Sequence, residues 1–373
     1  MNSAPAHVGD PVSAVDTPAL VVDLDAMERN IAALAGFARE RGVRLRPHAK
    51  THKCAAIARL QIAAGAVGVC VQKVGEAEAL ADGGVGDIFI SNEVIDAAKL
   101  VRVAQLAGRV RLAIAVDSPL GIDRLAAALK AAGTQVDVFV EIDVGQGRCG
   151  VTPTAAGALA QQVVSHGLRF AGLQAYHGRA QHLRGAAERA AAIAHAVTLA
   201  RAAQASITMA GIACPLVTGA GTGSFVHEAA SGLYGELQAG SYVFMDRDYA
   251  DNDPSPGAPV FEHALFVKSQ VMSRGPSHAV IDAGHKSHAI DSGLPGVWQR
   301  DLEFANGGDE HGILRRHAVG GDALPALGET VWLVPGHCDP TVNLHDHLVG
   351  VRGGLYAGRV EAVWTVDARG RGR

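Results

Sequence analysis

With 373 residues and 48% hydrophobic content, the chain has enough apolar material for one large core or two moderate ones, so it needs no disulfides for stability. Its cysteines, Cys54, Cys70, Cys149, Cys214 and Cys338, are odd in number and form no CxxC pair, which argues against a secreted disulfide framework and a zinc ribbon. A formal net charge of −4 with dispersed Lys and Arg excludes a nucleic-acid footprint and a polybasic membrane patch, and no apolar run approaches the roughly 20 residues that span a bilayer. Residues 1–12 lack a basic segment followed by an apolar run, so the expectation is a cytoplasmic chain whose partner is a small molecule.

Residues 19–24 read as a strand. A helix follows: Asp25 can cap it, Glu28 can complete a capping box, Met27, Ile31, Leu34 and Ala38 fall on one face, and Gly42 closes the end. From Val43 onward, strand-like runs alternate with helical periodicity, the pattern of βαβ units around a parallel sheet. Eight strands are predicted, at 43–47, 67–72, 87–91, 111–116, 136–142, 170–176, 215–219 and 236–243, each but the last followed by a helix. That order predicts a (β/α)8 TIM barrel over 25–250, in which strand 19–24 has no place. Residues 246–259, rich in Asp, Pro and Gly, read as a loop leading into runs without helices at 264–272, 279–283, 331–335, 348–352 and 359–365. These predict a second, mainly antiparallel β domain built from 1–24 and 251–373, with 369–373 as a disordered tail.

The segment Arg46-Pro47-His48-Ala49-Lys50-Thr51-His52-Lys53 ends the first barrel strand, and barrel active sites are built at such ends. A lysine there can carry an electrophile as a Schiff base once partly deprotonated, which desolvation and the neighbouring cations His48, His52 and Lys53 would favour. The alternatives are a solvated basic loop, or Lys53 as the anchor. Thr218-Gly219-Ala220-Gly221-Thr222-Gly223-Ser224 follows the seventh strand, where barrels often bind a phosphate; Gly240, Ser241 and Tyr242 in strand eight can complete the cup. The spacing is not a dinucleotide fingerprint, and a lone glycine-rich loop is otherwise just a turn. Strand five ends in Glu141-Ile142-Asp143-Val144-Gly145-Gln146-Gly147-Arg148 and strand six in Gln174-Ala175-Tyr176-His177-Gly178, followed by His182. Several polar strand ends around one rim point to a site.

In the β-rich part, Pro335-Gly336-His337-Cys338-Asp339-Pro340-Thr341 is followed by Asn343, His345, Asp346 and His347. In an extended chain residues two apart point the same way, so His337 and Asp339 are expected to share a face while Cys338 points to the other. An imidazole with a carboxylate suits Mn²⁺ or another borderline-to-hard divalent ion, with waters or substrate oxygens completing the sphere. A hydrogen-bonded His–Asp turn is the competing reading.

Together these motifs resemble the fold-type III pyridoxal phosphate enzymes, and within them the D-threonine aldolase group related to eukaryotic D-serine dehydratase. The resemblance spans nearly the whole chain and rests on Asp16-Thr17-Pro18-Ala19-Leu20-Val21, Arg46-Pro47-His48-Ala49-Lys50, Gly145-Gln146-Gly147-Arg148, Ala175-Tyr176-His177-Gly178, Gly221-Thr222-Gly223-Ser224 and His337-Cys338-Asp339-Pro340-Thr341. It implies an alanine racemase-like fold with pyridoxal 5'-phosphate on Lys50, leaving Lys53 a bystander. It also implies Arg148 against the cofactor's phenolic oxygen, Tyr176 beside the ring, and Thr222, Gly223, Gly240, Ser241 and Tyr242 around the phosphate. His182 matches the histidine that takes the substrate hydroxyl proton, and His337 and Asp339 match the ligands of a divalent metal, Mn²⁺ first, with Mg²⁺ or Co²⁺ as alternatives. The group's dehydratases usually show His-x-Cys where this chain has the aldolase form His-x-Asp, and Cys338 occupies only the middle position. The implied activity is that of a carbon–carbon lyase, a homodimer that cleaves D-3-hydroxy amino acids, D-threonine giving glycine and acetaldehyde. Two other readings stand beside it. One is a D-serine or 3-hydroxyaspartate dehydratase, or a racemase, on the same scaffold; the other is a non-catalytic cofactor carrier, which would need neither the β domain nor His337 and Asp339.

Overall fold

The computed structural model describes residues 4–373, so residues 1–3 of the segment assigned to the β-rich part lie outside it. One sheet holds eight parallel strands, Arg44–Leu45, Val69–Val71, Asp87–Ile90, Arg111–Val116, Asp137–Glu141, Arg169–Gln174, Val217–Gly219 and Glu236–Leu237. The last strand pairs with the first through Arg44↔Glu236 and Leu45↔Leu237. The first meets the second through a parallel bridge, His48↔Cys70, in which Cys70 N donates to Pro47 O at 2.8 Å, and the barrel is closed. Alternation along the strands sorts the core: Val69, Val71, Ile88, Ile90, Leu112 and Ile114 pack with the helices, while Cys70, Phe89, Ala113, Ala115 and Phe139 form a separate cluster inside.

All eight predicted barrel strands are present in order, but the first and last are cut to two residues. In the last, Gly240 turns into the right-handed helical region and Ser241–Val243 forms a 3₁₀ turn, so Gly240, Ser241 and Tyr242 are not in a strand. A Cβ at Gly240 would lie 2.8 Å from the His48 carbonyl oxygen; only glycine allows the two segments to meet there.

The first helix, Leu24–Glu40, buries the expected Met27, Ile31, Leu34 and Ala38. Its cap is Asp23, which accepts from Ala26 N at 3.2 Å, rather than Asp25. Asp25 and Glu28 are drawn instead to the Arg352 guanidinium at 2.9 and 2.8 Å, so the expected capping box does not form. Strand Ala19–Asp23 lies in the second sheet, antiparallel to Leu265–Arg274 and parallel to His347–Arg352. That mainly antiparallel sheet holds all five predicted strands of the β-rich part and adds Gly296–Val297 and the hairpin Leu302–Asn306 with Gly312–Arg316, which were not predicted. The tail is not disordered: Arg373 O accepts from Gly75 N at 2.8 Å, and a Cβ at Gly75 would approach that oxygen to 2.6 Å. Among the described residues no helix is long and apolar enough to cross a membrane.

Candidate active site

At the carboxyl ends of the barrel strands a cavity of about 210 Å³ brings together Lys50, Arg148, Tyr176, Thr222, Gly240 and Ser241, side by side with His48, Thr51 and Tyr249. A larger cavity, about 740 Å³, lies at the opposite ends. Its arginines, Arg44, Arg46, Arg111 and Arg169, are paired with Asp87, Asp137 and Glu236, so it is a charge-compensated floor of the barrel.

Lys50 sits on the turn that follows the first strand and donates to Asp339 Oδ2, from a helical turn that follows a strand of the other sheet. Burial would lower the Lys50 pKa, but the Asp339 carboxylate, seconded by Tyr176, outweighs it and holds the amine above its ordinary value. For Asp339 burial pushes upward, and the Lys50 ammonium, then His337, hold the carboxyl well below the usual range. Neighbouring cations therefore do not activate Lys50 as expected. His52 is pushed down to about 4 by burial, His48 is lowered by burial and by Lys50 itself, and the Lys53 ammonium is taken by Glu76 at 2.6 Å.

The Arg148 guanidinium lies 5.6 Å from the centre of the Tyr176 ring and 3.9 Å from Glu141 Oε1. Burial first, and then the neighbouring Glu93, push Glu141 above the usual carboxylate range. Nothing in the sequence marked Glu93 beyond its place just after the third strand.

The glycine-rich loop packs against Gln181, whose Oε1 accepts from Gly223 N at 3.0 Å; a Cβ at Gly221 would meet that oxygen at 2.5 Å. Tyr242 N donates to Thr222 Oγ1 at 3.0 Å, and the Tyr242 phenol points away from the cavity, accepting from Gln61 Nε2 at 3.1 Å. Gly223 and Tyr242 thus spend their N–H groups within the protein, and the wall of the cup falls to Thr222, Gly240 and Ser241. Behind the loop, Gln181 Nε2 donates to Ser224 Oγ, which donates to Glu228 Oε1 at 2.7 Å.

Glu228 is buried, and burial pushes it up to about 7 against the Ser224 hydrogen bond. Its folded pKa lies above the unfolded value of 4.5, so the folded state binds the proton more tightly and stability falls as pH rises from 4.5 through about 7. Glu228→Gln keeps an acceptor for Ser224 and removes the charge. It is expected to raise the unfolding free energy by roughly 3 kcal/mol above pH 7, with the gain shrinking toward pH 5. Urea unfolding at the two pH values checks this; a gain independent of pH would mean that Glu228 ionises without cost.

His182 ends a 3₁₀ turn, Arg179–His182, beyond the sixth strand, with Nδ1 2.7 Å from Asp248 Oδ2. Asp248 belongs to a helical turn, Arg247–Ala250, capped by Asp246, inside the segment read from sequence as a plain loop.

His337 and Asp339 do come from one short segment, but the chain there is not extended. His337 is the N-cap of a helical turn, Cys338–Val342, and Asp339 lies in its first turn, so the alternation argument does not apply. Pro340 is tolerated at this position, Thr341 Oγ1 donates to His337 O at 2.7 Å, and Asp246 Oδ2 accepts from Cys338 N at 3.0 Å. His337 Nδ1 is 2.7 Å from Asp291 Oδ2, a partner the sequence did not reveal. Cys338 is wholly buried, which pushes its thiol up and makes it a poor ligand. His345 meets the Ser287 carbonyl and Asp346 pairs with Arg369, both outside the site.

The residues fit the groups that this chemistry implies. Lys50 faces a cavity closed on one side by Gly240 and Gly221, as an aldehyde cofactor with a phosphate requires. For a metal, Asp339 Oδ1 is buried without a hydrogen-bond partner. Among the described residues no set of three or more His, Cys, Asp or Glu is placed to hold an ion, and the candidate donors are a histidine and one carboxylate. Such a set suits a divalent ion that keeps waters, not a closed zinc cage.

The chain matches the alanine racemase N-terminal domain family over residues 22–248 and the serine dehydratase domain family over 264–351. It is 47% identical to a D-threonine aldolase of an Arthrobacter species over 99% of this chain and 97% of that relative. It is 42% identical to the 3-hydroxy-D-aspartate aldolase of Paracoccus denitrificans (strain Pd 1222), over 99% and 96%. The crystal structure of D-threonine aldolase from Filomicrobium marinum, at 50% identity, superposes with a TM-score of 0.95 over 99% of both chains. With likeness of this degree along its whole length, the chain belongs to the D-threonine aldolase family, carbon–carbon lyases built on the alanine racemase-like fold.

Proposed function

We propose that the protein cleaves D-3-hydroxy amino acids by a retro-aldol reaction, D-threonine giving glycine and acetaldehyde, with pyridoxal 5'-phosphate on Lys50 and a divalent ion, Mn²⁺ before Mg²⁺ or Co²⁺, on His337 and Asp339. The observation that carries this reading is the contact of Lys50 with Asp339, 289 residues apart in sequence, which joins the lysine proposed to hold the cofactor to the carboxylate proposed to hold the metal. When bound, the cofactor supplies a π system for the electrons of the breaking Cα–Cβ bond, and the divalent ion lowers the pKa of the substrate β-hydroxyl. Arg148 and Tyr176 would hold the ring, Arg148 by hydrogen-bonding its phenolic oxygen. Thr222, Gly240 and Ser241 cradle the phosphate. His182, whose Nδ1 is bound to Asp248, takes the β-hydroxyl proton on Nε2. The barrel part, 25–250, thus carries the cofactor and the β-rich part the metal. The five free cysteines suit a reducing compartment, the cytoplasm.

The serine dehydratase domain match favours a second reading on the same lysine, in which the α-proton leaves and hydroxide follows. The buried Cys338, in the middle of His-x-Asp, supports the aldolase instead. A mere cofactor carrier has no use for the Lys50–Asp339 contact. The test is product identification after incubation of cofactor-loaded, Mn²⁺-supplied protein with D-threonine. Glycine and acetaldehyde in equal amounts are expected; 2-oxobutyrate with ammonia would make it a dehydratase, and L-allothreonine a racemase.

A further inference from the structure

The turn that holds Asp248 connects two parts of the site that are far apart in sequence. On one side its backbone is tied to the segment before the proposed metal ligands: Arg247 N donates to Pro335 O at 3.0 Å and Asp248 N to Gly336 O at 3.1 Å. Asp246 Oδ2 adds a third bond, to Cys338 N. On the other side the Asp248 side chain, only 6% exposed, reaches His182 Nδ1 with Oδ2 at 2.7 Å. Its Oδ1 accepts from Arg184 Nη2 at 2.5 Å, and Arg184 Nη1 donates both to the Asp248 carbonyl and, at 2.9 Å, to Asn252 Oδ1. Asn252 in turn donates to Gln181 O at 2.9 Å. His182 itself is half exposed and faces the Tyr249 ring at 5.7 Å.

We propose that Asp248 is a positioning residue of the reaction: it fixes His182 as the Nδ1–H tautomer and sets Nε2, the free nitrogen, at a constant place relative to His337 and Asp339. The inference rests on His182 being the base. A carboxylate held by a guanidinium only accepts hydrogen bonds, so the proton between Asp248 and His182 belongs to Nδ1. A neutral imidazole with Nδ1 protonated has its lone pair on Nε2 and can accept a proton nowhere else. Without Asp248 both tautomers are populated, the ring is free to rotate in its half-exposed position, and only a fraction of the molecules presents an acceptor to the β-hydroxyl. The same turn is bonded to residues 335, 336 and 338, so one chain of hydrogen bonds links His182 to the segment that carries His337 and Asp339.

The experiment uses the cofactor-loaded enzyme with ¹⁵N-labelled histidine, supplied with diamagnetic Mg²⁺ for the spectra and with Mn²⁺ for the rates, the His182 signals being assigned from the spectrum of His182→Gln. In the unsubstituted enzyme Nδ1 is expected to be protonated and Nε2 bare. Asp248→Asn is expected to mix the tautomers and to lower kcat by about 100-fold with KM unchanged. Asp248→Glu, which restores the carboxylate, should recover part of kcat and the Nδ1–H signal. A protonated Nε2 in the unsubstituted enzyme overturns the proposal, and this measurement decides alone if Asp248→Asn does not fold. So does an Asp248→Asn enzyme with unchanged kcat, or one whose loss lies in KM alone. Full activity of His182→Gln would instead overturn the assignment of the base, whatever Asp248 does.

Discussion

Lys50→Ala is expected to lose at least about 10³-fold in turnover, some 4 kcal/mol of barrier lowering, and with it the borohydride-fixed cofactor. Lys53→Ala should keep both. The two lysines are three residues apart in one basic segment, and their surroundings separate them. Lys50 opens into the cavity at the barrel mouth. Lys53, at φ 50°, is turned away, its ammonium 2.6 Å from Glu76, whose other oxygen accepts from Gln72 N at 2.9 Å and Lys73 N at 3.2 Å. Lys53→Ala therefore acts on stability: it leaves the buried Glu76 short of its cation, at a cost of up to roughly 3 kcal/mol. Peptide mapping after borohydride reduction, with unfolding curves for both variants, checks this. Cofactor found on Lys53, or an active and coloured Lys50→Ala, would refute the assignment.

The barrel was legible because apolar strand-like runs alternate with helical periodicity and its helices are built from residues that favour them, both local properties. The positions of Lys50, Arg148, Tyr176 and the glycine-rich loop followed from the rule that strand ends converge, without knowledge of any contact. What was not legible depended on partners distant in sequence. Asp25 and Glu28 have the spacing of a capping box, yet Arg352, more than 300 residues later, takes both. His337 and Asp339 looked like an extended pair because residues 330–334 do form a strand; that the chain turns helical at Cys338 depends on Asp246 accepting from its N–H. The turn 246–250 lay in a stretch whose Asp and Pro content reads as loop, and its significance lies in the segments it ties together. Lys50 was expected to be activated by cations, whereas the structure surrounds it with neutral histidines and a carboxylate, an arrangement of charge that no local pattern encodes. The hairpin from 302 to 316 escaped because each strand is only five residues long, so the alternation it does have, with Leu302 and Phe304 buried on one strand and Leu314 on the other, spans too few residues to stand out.

Asp339→Ala is expected to move two measurable rates in opposite directions, because Asp339 has two partners. Its carboxylate holds the Lys50 amine protonated, against burial that on its own would lower the pKa. With the carboxylate gone, burial is opposed only by Tyr176 and Glu76 and the free-amine fraction at neutral pH rises; uptake of pyridoxal phosphate by cofactor-free protein, followed by absorbance, should become faster than in the unsubstituted chain. Turnover should move the other way. One of two protein donors to the divalent ion is lost, the β-hydroxyl returns to its unassisted pKa, and the cleavage rate is expected to fall by about 100-fold or more, with Mn²⁺ no longer restoring chelator-treated enzyme. In the unsubstituted protein, by contrast, chelation should abolish activity and Mn²⁺ should return it. If Asp339→Ala kept a metal-dependent rate, Asp339 would not be a ligand. If it took up the cofactor more slowly, the carboxylate would serve chiefly to hold Lys50 in place, and loss of that geometry would outweigh the gain in free amine.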